Sequence, residues 1–264
     1  MLDQWARLRG LNFPLKILSN YIVMSNIQGR PFVSVLTPTY NRRRFLPHMI
    51  ECYKSQTYPH KNMEWIILDD GTDCVNDVFD TLAKDIPNLR YIRLNEKKLI
   101  GQKRNILNAE AKGEIIVAMD DDDFYSPERV SHVVEKFQQN PKIELAGASE
   151  IYMYYTDNKE IYKFGPYANN HATNGTMAYR KSYGKSHLYD ETVTHAEERS
   201  FLENYRNPMI QLDSFKVMLV ISHTENTFDK KKMRETINPF VKKTALKLRY
   251  FIKSANLRNF YADA

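Results

Sequence analysis

Four successive carboxylates, Asp120, Asp121, Asp122 and Asp123, follow the apolar run 114–119 and precede Phe124-Tyr125-Ser126-Pro127. Neighbouring carboxylates repel one another at neutral pH, and a bound cation offsets that repulsion. Hard oxygen ligands favour Mg²⁺ or Mn²⁺, which keep some of their water and accept phosphate oxygens as further ligands. The plainer alternative is a solvated acidic turn capping a helix that starts at Pro127. The position at the end of an apolar strand favours the cation. Two other strand ends are polar. At Thr39-Tyr40-Asn41 the Tyr40 ring suits a planar base, and at Asp69-Asp70 a carboxylate suits a base N–H or a ribose hydroxyl. Each alone is also a common turn or a half-buried aromatic; the case rests on their sharing one edge. Lys97, Lys98, Lys103 and Arg104 surround the predicted start of a helix, a favourable place for a diphosphate. Arg104 is preferred for its two-pronged geometry.

These residues need a scaffold that brings strand ends together. From residue 31 onward, strand-like runs at 33–37, 64–68, 90–94 and 114–119 alternate with helical patterns at 42–56, 75–86 and 102–111. Pro38 is expected to end the first strand. The alternation predicts an α/β fold, a mostly parallel sheet with helices on both faces, binding ligands beyond the carboxyl ends of its strands. A helix is predicted at 128–137, then strands at 145–155, 160–164, 177–180 and 215–222, with a helix at 197–205. This second half reads as a smaller mixed sheet. The expected division is an extension at 1–30, a main domain at 31–229 split after 130 into two halves, and a tail at 230–264.

The chain has 264 residues, 42% apolar and 27% charged, enough for one medium domain and against wholesale disorder. No run approaches eighteen apolar residues, and no charged, apolar and small-residue sequence marks a secretory leader, so neither a spanning helix nor secretion is expected. Cys52 and Cys74 read as reduced thiols, which suits a cytoplasmic setting. The net charge of +6 is unevenly placed. Residues 230–264 hold ten Lys/Arg and two Asp/Glu, a local +8 that leaves the preceding chain at −2. A uniformly basic nucleic-acid binder is disfavoured.

Taken in order and spacing, VSVLTPTYNRRRFL, EWIILDDGT, GQKRN and GEIIVAMDDDDFYSPERV resemble family 2 glycosyltransferases of the GT-A fold, over about residues 31–222. The resemblance implies a Rossmann-like, mostly parallel central sheet with a smaller mixed sheet, a nucleotide-sugar donor that is usually UDP-linked, Mn²⁺ or Mg²⁺, and inversion at the anomeric carbon. It places Pro38 and Tyr40 at the nucleobase, Asp70 on the base, and Arg104 near the base or diphosphate. Asp122 takes the metal-ligand position, with Asp120 and Asp121 facing the ribose or the metal. The family's general base opens a helix in the second half. The matching stretch, His195-Ala196-Glu197-Glu198-Arg199-Ser200-Phe201-Leu202, puts Glu198 there, with Glu where Asp is usual. Glu197 remains an alternative, as does a purely structural role for two acids in a first helical turn. The resemblance also offers His223 as a metal ligand, against an ordinary structural histidine, and Asn174-Gly175-Thr176 as a stretch beside the acceptor.

The acceptor implied is a glycan, protein or lipid, or a small molecule. The segment 239–261 mixes apolar residues with Lys242, Lys243, Lys247, Arg249 and Lys253. It reads either as a basic amphipathic helix on an anionic membrane or acidic partner, or as a terminal helix docked on the body. A sugar-phosphate nucleotidyltransferase would need much the same strand-end acids. It is disfavoured because no glycine-rich, basic loop follows the first strand directly. A non-catalytic nucleotide- or partner-binding module of the same fold is the other alternative.

Overall fold

The computed structural model describes residues 29–226, 230–235 and 238–264. The extension assigned to 1–30 lies, apart from Gly29 and Arg30, outside the described residues. The unit considered below is Phe32–Ala264.

The first half alternates as the sequence predicts: β1 (Val33–Thr39), α1 (Leu46–Lys54), β2 (Met63–Asp69), α2 (Asn76–Leu82), β3 (Leu89–Arg93), α3 (Ile100–Glu110) and β4 (Ile115–Ala118). Every residue of β1, β2 and β4 is buried. That is why these strands read as unbroken apolar runs, for a parallel sheet is covered on both faces. Side chains alternate between two cores. Val33, Val35, Trp65, Ile67, Ile115 and Val117 join α1 on one face, while Leu36, Ile66, Leu68 and Ile116 join Leu107 and Ala111 on the other. On the first face Tyr53 stacks on Trp65 with ring centres 4.3 Å apart, and the indole N–H donates to Thr37 Oγ1 at 3.0 Å.

Pro38 does not end the first strand. It sits inside β1 opposite Leu68, and β1 runs on to Thr39. The β1–β4 pairing stops at Leu36↔Ala118, so one side of β1 has no ladder for Pro38 to interrupt.

The second half comprises β5 (Phe124–Tyr125), α4 (Arg129–Gln139), β6 (Leu145–Gly147), β7 (Ile151–Tyr155), β8 (Glu160–Phe164), β9 (Ala178–Arg180), α5 (Lys181–Ser186), α6 (Glu198–Phe201), β10 (Met209–Gln211), α7 (Ser214–Val217), β11 (Met218–Ser222), α8 (Lys231–Glu235), β12 (Val241–Lys243), α9 (Leu248–Phe251) and α10 (Ala255–Ala262). The central sheet has the order β10-β6-β9-β4-β1-β2-β3, and a five-stranded sheet the order β12-β8-β7-β11-β5. The second half therefore supplies both the smaller mixed sheet and three strands of the central one, with β9 antiparallel to β4 and β6.

Three local expectations are corrected. The run at 145–155 is two strands in different sheets. The run at 215–222 begins as the helical turn α7 before β11. The helix expected over 197–205 ends at Phe201, because Glu203, Asn204 and Tyr205 adopt left-handed backbone (φ 47°, 56° and 62°). The C-terminal helical tail is present as α9 and α10, not as one amphipathic helix over 239–261. Val241–Lys243 pairs with β8, and Ile252, Leu257 and Tyr261 are buried in the core.

Candidate active site

The carboxyl ends of β1 and β2 are tied together by a buried lysine. Lys103, on α3, donates from Nζ to Asp70 Oδ1 at 2.7 Å and to the Thr39 carbonyl at 3.3 Å. The other oxygen of Asp70 accepts from the Lys98 amide at 2.7 Å. Tyr40 follows at the rim, its ring centre 4.3 Å from Lys97 Nζ and 5.8 Å from Lys103 Nζ. Asp69 is a scaffold residue: it meets Arg93 at 2.9 Å and accepts from Tyr91 and from the Gly71 amide. Gly71 must be glycine, since a Cβ there would lie 2.6 Å from Asn41 Oδ1 and 2.7 Å from Asn41 N.

Arg104, one residue along α3, faces the other way. Its Nε donates to Glu197 Oε1 at 2.7 Å and its Nη1 to Asp120 Oδ1 at 3.2 Å. With the Asn174 amide turned so that its oxygen faces the guanidinium, that oxygen accepts from Arg104 at 2.7, 3.0 and 3.1 Å. Burial would lower the Arg104 pKa, but the charges of Asp120 and Glu197 hold it well above the usual value. One fork thus joins the β4 exit, the turn at Asn174–Thr176 and α6.

The two glutamates divide accordingly. Glu197 is buried and committed to Arg104. Glu198 opens α6 and is half-buried; its carbonyl accepts from the Leu202 amide at 2.8 Å, but among the described residues its carboxylate has no hydrogen-bond or ion-pair partner on another residue. Burial, and then the Glu197 charge, push its carboxyl pKa up.

The acidic run also divides. Asp120 faces Arg104, and its amide donates to the Tyr125 hydroxyl at 2.8 Å. Asp121 is buried, with Oδ2 lacking any hydrogen-bond partner among the described residues. Burial, followed by the charge of Asp122, pushes it up to about 8. Asp122 Oδ2 meets His223 Nε2 at 3.1 Å, Asn226 Nδ2 at 3.2 Å and Arg42 Nε at 3.8 Å. Burial would raise its pKa, but the His223 hydrogen bond and the charges of Lys230, His223 and Arg42 hold it well below the usual range. Asp123 turns inward, where Oδ1 accepts from the Ile221 amide at 2.7 Å. It is structural, and burial pushes it up to about 7.

The His223 side chain is fully enclosed, 4.6 Å from the Phe45 ring. Its Nδ1 faces the Glu225 amide at 3.2 Å, and its Nε2 faces both Asp122 and the Asn226 Nδ2, the latter at 2.7 Å. Ligating a cation through Nε2 would require Asn226 Nδ2 to move off that nitrogen.

Among the described residues, no three His, Cys, Asp or Glu side chains are gathered as a ready metal cage. The donors nonetheless fit a hard cation. Asp122 lies at the edge, the buried Asp121 Oδ2 is unpartnered, and Mg²⁺ or Mn²⁺ completes its shell with water and phosphate oxygens.

Most of the site residues predicted from sequence thus meet along one edge, with Pro38 buried just behind Thr39. Sequence reasoning missed Lys103 as the partner of Asp70, Asn226 and Arg42 beside Asp122, and the fully buried Arg129. The Arg129 Nη2 donates to the Met177 carbonyl at 2.7 Å, tying α4 to the start of β9. Arg42 had a local signal in Tyr40-Asn41-Arg42; Asn226 and Arg129 had none, since their partners are distant in sequence.

A doubly covered α/β sheet with acids and an arginine at its carboxyl edge, flanked by a smaller mixed sheet, has the architecture of the GT-A fold. Residues 34–201 match the family described as Glycosyl transferase family 2, and the chain belongs to that family. A Campylobacter jejuni relative named GalNAc(5)-diNAcBac-PP-undecaprenol beta-1,3-glucosyltransferase is 32% identical over 109 residues, 40% of this chain and 34% of its own length. Such matches span only 17% to 42% of the curated relatives' lengths. Among solved structures, S. aureus TarS 1-349 in complex with UDP-GlcNAc is similar, with a TM-score of 0.62 at 18% identity, covering 74% of this chain and 59% of that one. So is the mannosyltransferase PcManGT from Pyrobaculum calidifontis in complex with GDP-Man and Mn²⁺, with a TM-score of 0.60 at 14% identity, covering 80% and 65%. At such identities these likenesses establish the fold.

Proposed function

We propose that the chain transfers a sugar from a nucleotide-sugar donor, UDP-linked, to an acceptor hydroxyl with inversion, assisted by Mn²⁺ or Mg²⁺. The observation that carries this reading is the separation of the two glutamates. Arg104 fixes Glu197 against Asp120, which leaves Glu198 uncommitted, half-buried and with a raised pKa beside the same edge. A general base needs that combination of position, freedom and basicity.

In the reaction the acceptor O–H gives its proton to Glu198 as its oxygen bonds to the anomeric carbon. The bond from that carbon to the diphosphate oxygen breaks, and the nucleoside diphosphate leaves with the electron pair. Tyr40 and Asp70 hold the nucleobase, and Asp120 and Asp121 face the ribose side. Arg104, already engaged by Glu197 and Asp120, fixes the base helix against the donor edge. Asp122, with His223 once Asn226 has moved off its Nε2, would hold Mn²⁺ or Mg²⁺, which when bound offsets negative charge on the departing diphosphate.

The acceptor is a glycan, protein or lipid hydroxyl; the name of the C. jejuni relative mentions an undecaprenol-linked glycan. Among the described residues no helix is long and apolar enough to cross a membrane. Peripheral contact with an anionic membrane, from the cytoplasmic side, is supported by exposed Lys242, Lys247, Arg249 and Lys253 beside exposed Tyr250.

The test is a thermal-shift series with UDP- and GDP-sugars, with and without Mn²⁺, followed by nucleotide release from the best donor. Stabilisation by a nucleotide sugar only when Mn²⁺ is present supports the reading. No response to any of them, with pyrophosphate released from a sugar phosphate and a nucleoside triphosphate, overturns it.

A further inference from the structure

The last helix, α10, packs against the acidic run. Tyr261 is fully buried, and its hydroxyl donates to the carbonyl oxygen of Asp123 at 3.0 Å. Its ring meets that of Phe124 edge-on, with centres 6.3 Å apart. At the other end of the run, the Tyr125 hydroxyl accepts from the Asp120 amide at 2.8 Å. The segment carrying Asp121 and Asp122 is therefore pinned at both ends by buried tyrosine hydroxyls. Of these two tyrosines, Tyr261 lies outside the residues matched by the family.

The same helix braces the other wall. Phe260 stacks on His48 at 3.4 Å and meets Phe45 edge-on at 5.6 Å, and Phe45 in turn lies against His223. Ser254 caps the helix, its Oγ accepting from the Leu257 amide, and donates to Glu51 on α1 at 2.8 Å. Asn256 donates to the other Glu51 oxygen at 2.9 Å. Helix α10 thus touches both the backbone just after Asp122 and the ring that backs His223. A buried phenol whose hydroxyl partner is a turn carbonyl, rather than a helix or strand carbonyl, fixes the turn itself.

We propose that Tyr261 is a positioning residue that latches the Asp120–Asp123 turn in the geometry that receives a cation and a nucleotide diphosphate. The inference rests on the nucleotide-sugar reading above. The decisive variant is Tyr261→Phe in the full chain, which keeps the ring and removes only the hydroxyl, with exposed Tyr250→Phe as control. Hydrogen–deuterium exchange at the amides of residues 120–124 should quicken by about tenfold, while the amides of α2, which the hydroxyl does not touch, stay as they were. Calorimetric titration of UDP in the presence of Mn²⁺ should show affinity weakened by about three- to tenfold, the range of one lost hydrogen bond. Phe260→Leu provides a second variant acting on the Phe45 wall. Unchanged exchange at 120–124 in Tyr261→Phe overturns the proposal, and so does quicker exchange with unaltered affinity, which marks the hydroxyl as structural only. If the unsubstituted protein fails to bind UDP with Mn²⁺, the nucleotide-sugar reading falls, and the exchange result alone decides whether the latch exists.

Discussion

The two flanks of the acidic run solve one problem differently. On the Asp120 flank, the half-buried Asp120 faces a permanent cation, Arg104, whose fork is also engaged by the buried Glu197 and by Asn174. On the Asp122 flank, the partners are a histidine, an amide and a more distant guanidinium, all in or against a short turn. The first flank is complete as it stands. The second is held by exchangeable hydrogen bonds that a divalent cation would replace. A buried ion pair fixes geometry at the cost of adaptability, whereas a histidine and an asparagine hold a carboxylate in place and still release it.

The largest effect expected from breaking this contrast lies at Asp122. Asp122→Ala should abolish Mn²⁺-dependent UDP binding in calorimetry, a loss of about a hundredfold or more, and transfer with it. The fold should survive, because the variant removes an acid from a repelling cluster. Retained metal dependence would move the cation seat elsewhere. Next comes Glu198→Gln, which should keep donor affinity within about twofold while transfer falls by about a hundredfold to ten-thousandfold. Donor affinity is measured by calorimetry and transfer by nucleotide release with acceptor present. Full activity in that variant would return the base to Glu197 or place it outside α6.

Glu198 also has a pH consequence. A base works ionised, and burial raises the pKa of this carboxyl, so transfer should decline on acidification at a higher pH than an exposed glutamate would give. The acidic limb of the kcat/KM profile checks this. It should vanish in Glu198→Gln, and a limb that persists unchanged would assign it to another group.

The first half of this picture was legible because its physics is local. Strands covered on both faces must be apolar throughout, so β1, β2 and β4 announce themselves, and the polar residues at their ends stand out as Tyr40, Asp70 and Asp120–Asp123. What each residue does there was not legible. Lys103 and Arg104 are adjacent and both basic, yet one serves Asp70 and the other Glu197, 93 positions away. The four aspartates read as one cluster, but Asp123 is claimed by the Ile221 amide, 98 positions on. Helix α6 stopped early through three left-handed residues with no glycine to signal them. The tail pattern gave amphipathicity without revealing that Val241–Lys243 would join β8.

The Arg104 flank is sharpened by Glu197→Ala. Arg104 is buried and keeps its charge, so losing this partner leaves a cation only partly matched by Asp120. The general cost of breaking a buried pair in this way is about 3–5 kcal/mol, read as a lower urea midpoint with the slope unchanged. A change below about 1 kcal/mol would show that Asn174 and Asp120 suffice for Arg104. The flanks would then be less different than they look.

The smallest effect belongs to Asn226→Ala, and it separates the flanks most cleanly. The amide nitrogen lies 3.2 Å from Asp122 Oδ2 and 2.7 Å from His223 Nε2, and its Oδ1 accepts from the His223 amide at 2.8 Å, closing the turn on itself. Without a cation, losing these contacts should cost about 1–2 kcal/mol in chemical unfolding, because Asp122 is only partly buried and keeps its other partners. With Mn²⁺ and UDP present the Asp122 oxygen would have a stronger partner, so the difference between variant and parent should shrink. By linkage, the variant should bind Mn²⁺ with UDP no more weakly than the parent, since one competitor for Asp122 has been removed. Equal destabilisation with and without the ligands would show that Asn226 holds its turn in both states and that the Asp122 flank does not open.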